Sequence, residues 1–284
     1  MKNYILLLVA TIMMAACGTT STVPVTGRKH TLLVDDAQVL SLSKQQYSEV
    51  IAKSKLSTNK TNTALVKRVG QNLATAVEKY LRENGAANDL QYYEWEFNLV
   101  QNDQINAFCM PGGKIVVYEG ILPVTKDEAS LAIVLGHEIA HAVAKHSAEQ
   151  MSTQIKQQYG AQIVGGLIGQ AAGENAANLA GALASAGFNF ANLKYSRDNE
   201  TEADHIGLIF AAMAGYDPQV AISFWERMAA SSKTTKSEIF SDHPSDATRI
   251  ANLQKSMPIA MQYYKPVKTT TTTTKTTTKK TTKK

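Results

Sequence analysis

His137-Glu138-Ile139-Ala140-His141 places two imidazoles four residues apart. On a helix that spacing offsets them by only about 40°, one turn above the other on a single face. Neutral imidazole nitrogens so placed suit a tetrahedral Zn²⁺. Glu138 between them lies where a carboxylate can take a proton from metal-bound water. The flanks argue for the helix. Thr125-Lys126-Asp127-Glu128 reads as a capping box, with Thr125 at the cap and Glu128 three residues on. Leu131, Ile133, Val134, Leu135, Ile139, Ala140 and Val143 then make the segment apolar nearly all round, as in a helix that crosses a core. Polar side chains buried there need partners. A helix with two hydrogen-bonded core histidines and no metal is the plainer alternative.

A catalytic zinc site needs a third protein ligand and leaves its fourth position to water. His146, nine residues after His137, falls about 180° around a continuous helix and is expected to point away. The metzincin pattern fails, because Ala144 and Ser147 stand where it requires glycine and histidine. The segment from Ser196 to Gly207 is a better source. Glu200 and Asp204 share a helical face there, whereas Glu202 lies about 200° from Glu200. One carboxylate of the pair would bind the metal while the other accepts the free N–H of a ligand histidine. Gly207 would let this helix approach the first closely.

Taken together, His137-Glu138-xx-His141 and Glu200-xxx-Asp204 resemble the zinc gluzincins of metallopeptidase family forty-eight, and in particular their envelope-lipoprotein branch. The likeness runs from about residue 23 to 255. It includes Pro24-Val25-Thr26-Gly27-Arg28, Asn106-Ala107-Phe108 followed by Pro111-Gly112-Gly113-Lys114, and His243-Pro244 with Arg249. The resemblance implies one Zn²⁺ per chain held by His137, His141 and Glu200. It also implies Glu138 as general base, Asp204 behind a ligand histidine, and His243 near the metal. His243 is expected either to donate to the developing oxyanion or to occupy the open zinc position when no substrate is bound. Cys109 and His205 depart from the family pattern without touching the chemistry.

Ile105–Met110 and Lys114–Tyr118 read as two strands around a Pro-Gly-Gly turn just before the zinc helix. An edge strand beside the metal, through Asn106, Ala107 and Phe108, would pair with an extended polypeptide by β-augmentation; a core hairpin with no ligand is the ordinary alternative. Tyr93, Trp95, Phe97 and Leu99 alternate with polar residues, which marks a sheet with a buried face. Asp35–Leu56, Thr61–Asn84 and Pro218–Ser231 read as amphipathic helices. Residues 160–190, rich in glycine and alanine, are expected to form helices that flank or cover the active site. The fold class is α+β: a mostly helical zincin-type metalloprotease domain with a small sheet beside the zinc helix.

Residues 1–16 read as a signal peptide, too short in their apolar run for a lasting membrane span. Ala15-Ala16-Cys17 resembles a lipoprotein cleavage site, leaving Cys17 as a lipid-bearing terminus; ordinary secretion with a nearby cut is the alternative. Gly18 is not the aspartate of an inner-membrane retention signal, so a periplasm-facing outer-membrane anchor is expected. Residues 17–34 would then be a tether, 35–258 one metallopeptidase domain and 267–284 a disordered Thr/Lys tail. Cys109 alone is left as a free thiol, and it is expected to be buried and inert. The net charge of +5 misleads, since seven of the 29 basic residues lie in the last twenty; the remaining 22 face 24 acids. Nucleic-acid binding therefore has no folded basic surface behind it. Two functions fit: an endopeptidase acting on unfolded or misassembled envelope polypeptides, or a chaperone-like assembly factor whose zinc site is latent.

Overall fold

A computed structural model describes residues 19–164, 181–232 and 247–265. A hairpin of β1 (Thr19–Thr22) and β2 (Lys29–Leu32) leads into α1 (Asp36–Lys53) and α2 (Lys60–Glu83). A three-stranded sheet follows, of β3 (Glu96–Val100), β4 (Ala107–Met110) and β5 (Lys114–Tyr118). The short α3 (Leu122–Thr125) precedes α4 (Glu128–Val143) and α5 (His146–Val164). The remaining long helices are α6 (Arg197–Met213), α7 (Val220–Ser232) and α8 (Ala247–Tyr263). This is the mostly helical α+β architecture that the sequence predicts. The expected leader, the lipidation cysteine Cys17, His243 and the Thr/Lys tail lie outside the described residues, as do 165–180 of the Gly/Ala-rich stretch.

The sheet order is β3-β5-β4, with β3 parallel to β5 and β4 antiparallel to it, so β4 lies at an edge. Its side chains alternate between two cores. Ala107, Cys109, Ile115 and Val117 join the cluster around α2, α4 and α6, whereas Phe108, Met110 and Val116 join a second cluster with α1 and α5. Burial on both faces explains why Ile115-Val116-Val117 is an unbroken apolar run rather than an alternating one. Cys109 is a buried free thiol, raised well above its ordinary pKa by that burial.

Helix α4 is the central strut: every residue from Ser130 to Val143 is buried. Its start differs from the expected capping box. Thr125 closes the preceding turn by donating to the Leu122 carbonyl, and Lys126 adopts φ 63°. Asp127 is therefore the cap, accepting from the Ser130 amide at 2.7 Å. A second left-handed residue, Lys145 at φ 55°, separates α4 from α5. Helix α6 is capped by Ser196, which accepts from the Asn199 amide.

Helices α4 and α6 meet through their backbones. A Cβ on Gly136 would lie 2.8 Å from the Gly207 carbonyl oxygen, and one on Gly207 would lie 2.7 Å from the His137 nitrogen. Only glycine at both positions permits this approach. The contact brings the His137 turn against the turn that carries Asp204.

Candidate metal centre

The glycine contact aligns two polar faces inside an apolar core. His137 and His141 project from α4, Glu200 and Asp204 from α6, and all four are buried. The Nε2 atoms of His137 and His141 are 3.1 Å apart, and Glu200 sets its Oε2 3.4 Å from the His137 nitrogen and its Oε1 3.4 Å from the His141 nitrogen. A tetrahedral ion with ligand bonds near 2.0–2.1 Å has donor–donor edges of about 3.3 Å. The two nitrogens and the Glu200 carboxylate are thus close enough to share one ion, and among the described residues this is the single His/Cys/Asp/Glu group so arranged. The donor set of two nitrogens and one carboxylate suits zinc. Hydrogen-bonded core histidines alone would not need three acceptor atoms turned on one another.

Each imidazole is fixed from behind. The His137 Nδ1–H donates to Asp204 Oδ1 at 2.8 Å, which frees Nε2 to face the centre. Asp204 also accepts from Arg249 Nη2 at 2.6 Å, and the Arg249 guanidinium lies 3.4 Å above the Trp225 ring. Burial and the Arg249 charge oppose protonation of His137, but Asp204 and Glu200 outweigh them and raise its pKa to about 9. His141 is pushed well below the usual imidazole range, above all by burial. Tyr195 stacks on the His141 ring at 4.0 Å and 18°, its hydroxyl 2.9 Å from Ser147 Oγ.

His146 corrects the sequence expectation. It does not point away, because the left-handed Lys145 ends α4 and redirects the chain. Its Nδ1 lies 2.9 Å from His141 Nδ1, and its Nε2 lies 2.9 Å from Glu202 Oε2. Glu202 faces away from Glu200 as the helical geometry requires, and it meets the N-terminal hairpin there.

Glu138 is buried beside the pair of imidazoles. It lines a cleft with Asn106, Ala107, Phe108 and Cys109 on one side and Tyr195 on another. The 3₁₀ turn Phe190–Asn192 borders the same cleft. Asn106 uses its side-chain oxygen to accept from the Ala107 amide. The sequence singled out His137, Glu138, His141, Glu200 and Asp204, and the fold brings these together; Asn106–Phe108 join them across the cleft. Tyr195, Trp225, His146 and Glu202 carry no short motif. Arg249 and the Thr26–Arg28 stretch stood out only as parts of a resemblance, with no role attached.

The sequence model of "Peptidase family M48" matches residues 66–257. The chain is similar to the mitochondrial metalloendopeptidase OMA1 of Schizosaccharomyces pombe, 39% identical over 187 residues that make up 65% of this chain and 53% of the relative. It is 34% identical over 176 residues to the beta-barrel assembly-enhancing protease of Yersinia pestis, covering 58% of this chain and 36% of that protein. To the human mitochondrial metalloendopeptidase OMA1 it is 29% identical over 84% of this chain and 46% of the relative. The chain thus spans about half, or less, of the length of these relatives. The matched region contains both metal-facing helices and most of the core between them, so the chain belongs to peptidase family M48.

Proposed function

We propose that this chain is a zinc-dependent endopeptidase of the bacterial cell envelope that hydrolyses unfolded or misassembled polypeptides. One observation carries the reading. Two imidazole nitrogens and a carboxylate meet at 3.1–3.4 Å in a buried centre, with Glu138 beside them on the same helix. His137, His141 and Glu200 would hold one Zn²⁺, which when bound supplies Lewis acidity and an activated water. Glu138 takes the proton as the peptide carbonyl is attacked and returns it to the leaving amine. Asp204, held by Arg249, keeps the His137 proton on Nδ1 so that Nε2 stays a ligand.

Substrate would lie along β4. Asn106, Ala107 and Phe108 share the cleft with Glu138, and backbone pairing at a sheet edge favours extended chains over particular side chains. His243 is proposed to serve the oxyanion or the open metal position. A lipid anchor at Cys17 would hold the domain at the periplasmic side of the outer membrane. The Yersinia relative, a beta-barrel assembly-enhancing protease by name, is compatible with an envelope role, alongside relatives named as mitochondrial. No described helix is long and apolar enough to cross a membrane.

The discriminating experiment uses unfolded casein, with wild type and Glu138→Gln compared with and without a zinc chelator. Cleavage by wild type that both treatments abolish supports the peptidase. Absence of wild-type cleavage at saturating zinc, with client rescue retained by Glu138→Gln, would replace it with the assembly-factor reading. Palmitate labelling lost in Cys17→Ala tests the anchor.

A further inference from the structure

We infer that the N-terminal hairpin completes the metal centre, through Arg28 and Thr26 acting as positioning residues for His141. The inference rests on the zinc reading above. It concerns a segment that precedes residue 66, where the family match begins.

The argument is one of hydrogen-bond parity. If His141 Nε2 faces the metal, its remaining proton is on Nδ1, and the only orientation open to the 2.9 Å contact has His141 donating to His146 Nδ1. His146 then carries its own proton on Nε2 and donates it to Glu202 Oε2 at 2.9 Å. Each link in the chain fixes the next. His146 is fully buried and Glu202 nearly so, so a misaligned donor or acceptor here has no solvent to fall back on.

Glu202 ends the chain, and the hairpin holds it. Thr26 Oγ1 donates to its Oε1 at 2.5 Å, and Arg28 Nε donates to its Oε2 at 2.8 Å. The other side of the Arg28 guanidinium forks onto Glu149 of α5 at 2.9 and 2.8 Å. One planar cation therefore ties α5, which carries His146, to α6, which carries Glu200 and Glu202. A lysine could not make both contacts in fixed geometry. The two ligand histidines are thus supported symmetrically: His137 by Asp204 and Arg249, His141 by His146 and Glu202 with Arg28. The partner arginines come from opposite ends of the chain.

The test measures zinc affinity of the full chain by chelator competition, alongside the visible spectrum of the Co²⁺-loaded form and the melting of metal-free protein. Glu202→Gln keeps the shape and removes the charge; it is expected to weaken zinc binding about 10–100-fold, as loss of outer partners of metal ligands does. Arg28→Ala is expected to weaken it to a smaller degree and to alter the Co²⁺ spectrum, with Arg28→Lys in between. Arg68→Ala, which breaks an exposed ion pair with Glu128 at the far end of α4, should leave zinc affinity unchanged. If Glu202→Gln does not fold, the Arg28 pair carries the comparison. Variants that melt earlier when metal-free, yet bind zinc as wild type does, would reduce the hairpin to a brace and overturn the inference. Wild type that takes up no zinc would instead sink the metal reading itself, and that failure is seen without any variant.

Discussion

Gly207→Ala is the sharpest probe of how α4 and α6 build the centre. The added methyl carbon would lie 2.7 Å from the His137 nitrogen and 2.9 Å from both Gly136 C and His137 Cα. All three are backbone atoms, so no side chain can swing aside. Comfortable separations are about 3.5–4.0 Å, so the helices must part by roughly 0.8 Å. Overpacking of this kind costs about 1–3 kcal/mol. Glu200 rides on the displaced helix while both imidazoles stay, so its 3.4 Å edges open toward about 4 Å, well past the ±0.2 Å tolerance of a metal–ligand bond. Turnover on unfolded casein should then fall on the order of 10²-fold, the usual effect of misplacing a reacting group by about 1 Å. Zinc affinity should fall with it. Denaturant melts of the metal-free form and chelator competition separate the two losses. Gly181→Ala makes the same chemical change at a helical glycine with nothing within 4 Å; it should leave zinc affinity unchanged and, if anything, raise stability slightly. Wild-type zinc affinity and stability in Gly207→Ala would refute the claim that this contact sets the ligand geometry.

Three further outcomes follow from the same contacts. Glu138→Gln should lower turnover about 10²–10⁴-fold while zinc uptake stays at the wild-type level, since the carboxylate moves a proton and holds no metal. Arg249→Ala strips Asp204 of a buried 2.6 Å partner and should cost about 3–5 kcal/mol in denaturant unfolding. Glu202 feels burial first, which raises its pKa, but His146, Thr26 and Arg28 outweigh it and depress the value to about 2. A depressed carboxylate stabilises the fold above its unfolded pKa of about 4.3 and loses that contribution as pH falls toward the folded value. The stability gap between metal-free wild type and Glu202→Gln should therefore be flat above about pH 5 and shrink from about pH 4.3 to 2. A gap that widened on acidification would contradict the assignment.

The chemistry was legible in the sequence where it is local. Helical periodicity places His137 and His141 on one face and separates Glu200 and Asp204 from Glu202, and these angles survive folding. The β4–β5 pair was equally plain from its Pro-Gly-Gly turn and its apolar runs. Two errors share one cause. Lys126 and Lys145 adopt positive φ, a conformation that lysine does not advertise. The first moved the helix cap from Thr125 to Asp127, and the second turned His146 inward instead of outward. The remaining omissions are contacts across great chain distances. Arg28 meets Glu202 174 positions away, and Arg249 meets His137 112 positions away. No periodicity within one segment encodes such a meeting; it exists only once the core has set the relative placement of helices.

The place of Arg249 on α8 has a consequence for synthesis. A growing polypeptide acquires the paired imidazoles at residue 141 and the carboxylates by residue 204, yet the guanidinium that secures Asp204 arrives only some forty-five positions later, with the final described helix. Until that helix docks, Asp204 has His137 as its partner but lacks the arginine that fixes it from the other side. The His137 side of the site is therefore expected to become fixed late in folding, once the last described helix has docked and its arginine holds Asp204.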